Sequence, residues 1–205
     1  MPSKIDYYGK FRERHFLTFP TLETKRFLLL KCDKNYERNF EELLSDEEIN
    51  KYTGTEVVNA KEECNIYLEH IDEEYKNKTA LNWVIIDKEK CEFTGEIRLY
   101  SIDLYSNRCE LGYTIVKKNW RKRIATECIL RVLNFAFNEL YMNKVSALID
   151  MHNIASKRLI KLLGFAEEGI LREHYYSFKR KAYITVEVWS MIKKDNEFYT
   201  KTLKI

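Results

Sequence analysis

In this 205-residue sequence the residues that could do chemistry are a lone carboxylate, Glu110, a run of cations, Arg121-Lys122-Arg123, and a polar helix start, Asn153 to Ser156. A carboxylate can take a proton from a substrate. On its own, though, Glu110 reads first as an exposed strand residue paired with a cation. The three cations stand just before Ile124-Ala125-Thr126, where a helical pattern begins. A helix N-terminus there, with its unpaired N–H groups and its dipole, would attract an anion such as a phosphate. A solvated basic turn is the alternative. Asn153 suits an N-cap, and a hydroxyl one turn further on, as at Ser156, is commonly satisfied by the backbone. Arg158 on the same helix is either a phosphate contact or a surface cation. His152 and His174 have no partner at metal or triad spacing, so no metal site is expected.

The elements that must position these groups follow from periodicity. Arg26–Lys31 reads as a first strand, and Asp33 can cap a helix that buries Tyr36, Phe40, Leu43 and Leu44. Asn59 and Glu62 form a capping-box start for a second helix carrying Cys64, Tyr67, Leu68, Ile71 and Tyr75 on one face. Leu81–Asp87, Glu92–Ile102 and Arg108–Val116 are three successive strands. Gly95 in the middle one marks a bulge or a close backbone approach. Ala125–Leu140 is a long amphipathic helix, followed by a strand at Lys144–Ile149. Strand, helix and strand make a crossover, hence a parallel pair. A helix from Asn153 to Leu163 stops at Gly164, and strands around His174–Phe178 and Ala182–Ile192 complete the sheet.

Composition sets the class. Hydrophobic residues make up 45%, and 35 Lys+Arg against 32 Asp+Glu leave a formal charge of +3. That is one core and one domain, with no global pull toward nucleic acid, which is not an expected partner. The five cysteines are scattered without a Cys-x-x-Cys pair, which fits a reducing compartment, and a cytoplasmic location is expected. The first twenty residues have no apolar run of a signal peptide, and nothing approaches a membrane span. We divide the chain into an extension (1–21), the main domain (22–194) and a tail (195–205). Phe11, Phe16 and Phe19 in the extension are expected to pack onto the domain. A groove cover or a homodimer contact is the other reading.

Four stretches carry a resemblance. Cys109-Glu-Leu-Gly-Tyr-Thr-Ile-Val with Asn119-Trp-Arg-Lys-Arg-Ile-Ala-Thr-Glu resembles the acetyl-CoA core of the GNAT superfamily. Asn153-Ile-Ala-Ser-Lys-Arg-Leu-Ile-Lys-Leu-Leu-Gly-Phe is similar to that family's Asn-x-x-Ser helix ending in Gly-Phe. Leu22-Glu-Thr-Lys-Arg-Phe-Leu-Leu-Leu and Glu168-Gly-Ile-Leu-Arg-Glu resemble its ribosomal-protein N-terminal acetyltransferase branch. The turn departs from the family, with Trp120, Arg123 and Ala125 in slots usually held by Gln/Arg, Gly and Gly/Ala, and Arg121 in place of another frequent Gly.

The resemblance implies an α/β fold. Its sheet would be mixed and mostly antiparallel, with about six or seven strands around a parallel βαβ acetyl-CoA core. It implies acetyl transfer from acetyl-CoA, without a metal, to a primary amine, with a protein N-terminus as the expected acceptor. Glu110 would then be the base and Ser156 the proton donor to the leaving thiolate. Backbone groups at Ile115 and Val116 would serve pantetheine and the oxyanion. Arg121, Lys122, Arg123, Ile124, Ala125, Thr126, Asn153 and Arg158 would hold the cofactor, and Tyr175 and Tyr176 would line the acceptor pocket. Three alternatives stay open: an acyl-CoA binder without turnover, a polyamine or aminoglycoside acetyltransferase, and a small RNA- or ribosome-binding module.

Overall fold

The computed structural model describes residues 12–52, 60–177 and 180–196. Its order is a helical turn α1 (12–17), β1 (Leu22–Glu23), β2 (Phe27–Lys31), α2 (Glu37–Ser45), α3 (Ala60–Lys76), β3 (Leu81–Asp87), β4 (Glu92–Asp103) and β5 (Arg108–Ile115). There follow α4 (Ile124–Asn138), β6 (Lys144–Asp150), α5 (Ile154–Leu162), β7 (Ala166–Ser177), β8 (Ala182–Ile192) and a last turn α6 (193–196). Among the described residues the strands form one eight-stranded sheet, β1-β2-β3-β4-β5-β6-β8-β7. Only β5 and β6 pair in parallel.

Eight strands are one more than the upper figure of about six or seven expected, and one expected strand is longer than its sequence suggested. β1 is a two-residue strand set opposite Leu28 and Leu29. β7 begins at Ala166, well before the His174 start that sequence suggested. Its side chains are mostly exposed on both faces, so alternation gave no signal there. Gly164 does end α5, at φ +90°. Asn59 and Phe178 lie outside the described residues.

Helices cover both faces. On one side α4 and α5 bury Ile129, Val132, Leu133, Phe137 and Ile160 against Trp83, Ile85, Ile97, Leu99, Cys109, Leu111 and Val145. On the other side α2 and α3 place Phe40, Leu43, Cys64, Leu68 and Ile71 over Val84. The segment before β1 joins the first layer: Phe16 and Phe19 pack on that core, and the Phe19 ring meets Trp83 at 5.6 Å. Phe11 lies outside the described residues.

Candidate active site

β5 is the centre of the site because its two edges are treated differently. β4 accompanies it from Arg108 to Ile115, whereas β6 pairs only with Arg108, Cys109 and Glu110 before leaving with β8. Residues 111–115 therefore have no strand on one side. The Val116 N–H donates to Thr94 O at 3.0 Å, so position 116 faces β4. Antiparallel pairs alternate, which turns the N–H and C=O of Tyr113 and Ile115 into the gap. The expectation for Ile115 and Val116 is thus corrected by one residue. Val116 has spent its donor, and Tyr113, which sequence reasoning missed, supplies one in its place.

Gly95 makes the close β4–β5 approach possible. A Cβ there would stand 2.2 Å from Thr114 O, and its φ is +154°. Thr94 is skipped where β4 meets β3, leaving a bulge between Ile85 and Ile86. Close approach and bulge, the two readings offered for Gly95, therefore coincide.

At the far end of β5 the chain turns into α4. Arg121 has φ +60° and Arg123, the α4 N-cap, φ +58° with ψ 23°. The two arginines adopt the left-handed conformation that glycine adopts most easily. Arginines thus hold left-handed positions in slots where the resemblance puts glycine. Arg26 holds the turn from outside: its guanidinium donates to Lys122 O at 3.1 and 3.2 Å and pairs with Glu127 at 2.7 Å. The first helical bond runs from Glu127 N–H to Arg123 O, leaving the N–H groups of Ile124, Ala125 and Thr126 without intrahelical partners. The side chains of Arg121, Lys122 and Arg123 are exposed, and Lys122 donates to Asn119. Lys117 and Lys118 pair instead with Glu48 and Glu92, which shortens the basic patch. Trp120, in the Gln/Arg slot, donates from its indole N–H to Ile115 O at 2.7 Å.

Across the gap, α5 begins as its sequence suggested. Asn153 caps it, its Oδ1 accepting from Ser156 N–H at 3.1 Å. Ser156 is half-buried, and Arg158 is exposed.

Glu110 lies on the face opposite α4, because its neighbours Cys109 and Leu111 belong to the α4 core. Ser146 stands opposite it, and Asp150 lies further along the same face of β6. Tyr100 faces Glu110 and hydrogen-bonds to it; burial first and this carboxylate second raise the phenol's pKa. The Arg98 guanidinium lies over the Tyr100 ring at 4.3 Å. Gly112 leaves both side chains their room, since a Cβ there would come within 3.2 Å of Arg98 Nε. Further along, Tyr67 of α3 donates to Glu96 at 2.8 Å, and burial raises the Glu96 carboxyl despite the Arg98 charge beside it.

The far wall is the β7–β8 hairpin. Tyr175 bonds with Arg180, which pairs with buried Asp150 and lies over the Tyr52 ring at 5.9 Å. Burial, and then the Asp150 charge, raise the Tyr175 phenol. Tyr176 alternates to the other face, exposed and edge-on to Tyr183 at 5.1 Å. Of the two tyrosines expected to line the pocket, only Tyr175 joins this cluster. Tyr52 and Arg180 join it unforeseen.

The arrangement is an open strand edge inside a sheet, ending in a helix start with free N–H groups, with the Glu110 carboxylate on one face and the Ser156 hydroxyl, on a capped helix, on the other. The family model described as Acetyltransferase (GNAT) domain matches residues 26–166. The chain belongs to the GNAT acetyltransferases. Among relatives, the uncharacterized N-acetyltransferase YoaA of Bacillus subtilis (strain 168) is 31% identical over 159 residues, 77% of this chain and 89% of that protein. Two solved structures share the fold. RimJ of Mycobacterium smegmatis in complex with CoA-disulfide has a TM-score of 0.77 at 14% identity, covering 90% of this chain and 95% of that one. Spermidine N-acetyltransferase from Vibrio cholerae in complex with CoA and spermine has a TM-score of 0.74 at 20% identity, covering 84% and 98%. This GNAT chain is thus an acetyltransferase, with acetyl-CoA as its co-substrate.

The residues fit that co-substrate. The left-handed turn and the α4 N–H groups without intrahelical partners suit a pyrophosphate, and the outward groups of Tyr113 with the Ile115 N–H suit the amides of an extended pantetheine. Among the described residues no helix is long and apolar enough to cross a membrane, and no group of three His, Cys, Asp or Glu could hold a metal.

Proposed function

We propose that the acceptor is the α-amine of a protein or peptide N-terminus, with Glu110 as base and Ser156 at the leaving sulfur. The observation that carries the acceptor class is the pairing of carboxylates around the site. Arg180, which lines the cavity of about 510 Å³ beside Met151 and His152, pairs with Asp150 buried behind it. In the cavity of about 730 Å³ beside Val116, Glu92 meets Lys118 and Glu42 lies 3.5 Å from Arg38, which leaves Asp46, bonded to the backbone N–H groups of Glu48 and Ile49, as the lining carboxylate with no cation beside it. A polyamine, carrying several charges, would need several unmatched carboxylates. A peptide terminus needs one, and its carbonyls can accept from Arg180.

Acid–base arithmetic points the same way. An α-amine has a reference pKa of about 7.7–8.0 against about 10.4 for lysine, so part of it is already nucleophilic near neutrality. Glu110 takes the proton, the N–H groups of Tyr113 and Ile115 donate to the carbonyl oxygen as charge develops there, and Ser156 faces the departing sulfur.

The test is a panel read by mass spectrometry: peptides with free termini, the same peptides blocked but carrying an internal lysine, and spermidine. Acetyl should appear on free termini. Acetyl found chiefly on lysine or spermidine would overturn the acceptor assignment. Glu110→Gln should lower kcat by about 10²-fold or more, most strongly at low pH where deprotonation limits.

A further inference from the structure

Tyr113 holds a polar atom with no well-aligned partner. Its phenolic oxygen is buried and lacks a well-formed hydrogen bond. A buried unpaired hydroxyl is disfavoured, and such atoms cluster where a ligand or a reaction supplies the missing partner. The side chain stands on the α4–α5 face of β5, packed on the main core, while the backbone of the same residue faces the gap. Ser156 is within hydrogen-bonding reach of the phenol. Two hydroxyls, one from each wall of the gap, thus meet beneath the place where β5 and β6 part.

A serine hydroxyl is a poor acid. A phenol, with a reference pKa of about 10, is closer to a thiol's value of about 8.5 than an alkyl hydroxyl is, even though burial raises the Tyr113 phenol above its ordinary value and the Ser156 hydroxyl partly offsets that. Ser156 alone is therefore badly matched to protonating a departing thiolate, and Tyr113 supplies what it lacks.

We propose that Tyr113 is the proton source for the leaving sulfur, acting through Ser156; this rests on the acetyl-transfer reading above. The acceptor nitrogen, having given one proton to Glu110, bonds to the carbonyl carbon. The carbon–sulfur bond breaks, and its electron pair goes to sulfur. Sulfur takes the Ser156 proton, Ser156 takes that of Tyr113, and the phenolate regains a proton from the one the new amide nitrogen sheds. The proton held by Glu110 passes to solvent. One ammonium and one thioester thus yield one amide, one thiol and one proton.

Tyr113→Phe keeps the backbone donor and ring and removes only the hydroxyl. It should lower kcat by about 10–100-fold with little change in KM for acetyl-CoA. The double variant with Ser156→Ala should be no slower than the slower single variant, because the two act as one relay. A second readout is independent of turnover. Calorimetric Kd values for CoA and for desulfo-CoA, which lacks the sulfur, should diverge: Tyr113→Phe weakens CoA about fivefold and leaves desulfo-CoA unchanged. Equal weakening of both ligands would mean a structural role, and unchanged kcat or fully additive losses would remove the relay; each overturns the proposal. The calorimetric comparison holds whichever amine is the acceptor. Failure of the parent protein to bind either ligand would instead sink the acetyl-transfer reading itself.

Discussion

Replacing Arg123 by glycine and by alanine separates the backbone of the cofactor turn from its charge. At φ +58° and ψ 23° an L-residue is strained by roughly 1–2 kcal/mol. Glycine escapes that strain but gains about 0.5–1 kcal/mol of freedom in the unfolded chain. Arg123→Gly should therefore stabilise the ligand-free protein by about 0.5–1 kcal/mol, raising Tm by roughly 1–4 °C for a domain of this size. Arg123→Ala keeps the strain, and its Tm should stay within about 1 °C of the parent. Both variants lose an exposed cation, for which a contribution below about 1 kcal/mol is reasonable, so each should bind CoA about two- to fivefold more weakly at low salt. In about 1 M salt, where the screening length is near 3 Å, that difference should vanish. Thermal unfolding and calorimetric titration at the two salt concentrations make the measurement. Tighter CoA binding by Arg123→Gly would show that the side chain obstructs the cradle. A fall in its Tm would show that the backbone there is unstrained. Either result refutes the reasoning.

Trp120 is 39% exposed, whereas Trp83 and Trp189 are 0% and 7%, so intrinsic fluorescence should report ligand entering the gap. A change on titration with CoA that disappears in Trp120→Phe is the expected result; the full change persisting there counts against it. Gly95→Ala should cost at least about 3 kcal/mol and lower Tm by roughly 6–12 °C, since the new Cβ meets Thr114 O at 2.2 Å in a left-handed backbone. A loss within about 1 kcal/mol in chemical unfolding would mean that β4 and β5 can part. The Asp103 carboxyl is held down to about 2, first by the Ser106 N–H. A lowered carboxylate stabilises the turn above its ordinary value, so this support should fade as pH falls from 3.8 toward about 2. Amide exchange at Tyr105 and Ser106 should accelerate over that range, and Asp103→Asn should remove the pH dependence.

Where periodicity was strong, the fold was readable. The stripe from Ile129 to Phe137 places α4, and strand–helix–strand order gives the one parallel pair. β7 was half-missed because an exposed edge strand buries too little to impose alternation. Parts of the site were legible through local chemistry. Asn153 is a cap in any reading, and the cations before α4 stand beside a helix N-terminus, where they add to its pull on an anion. What escaped was register and long-range contact. Whether Ile115 or Val116 points into the gap depends on which pairs with Thr94, and no local pattern encodes that. Arg180 reaching Tyr52 joins segments far apart in the chain. Nor does any local pattern show how the turn before α4 is built: Arg121 and Arg123 hold a left-handed backbone and send their side chains to solvent.

An open strand edge within a sheet is a liability, because unpaired N–H and C=O groups seek partners. This protein confines the liability to a few residues. β4 holds the other edge of β5, while β6 is secured along its length by β8. One exposed carbonyl, that of Ile115, is met by the Trp120 indole. The rest match an extended ligand with amides at intervals, which can lie along β5 as a strand would. Such a ligand restores the backbone pairing that the fold withholds. On the roles proposed above, binding and catalysis share a cause: the divergence of β5 and β6 that opens the groove also leaves Tyr113 and Ser156 on one face and Glu110 on the other.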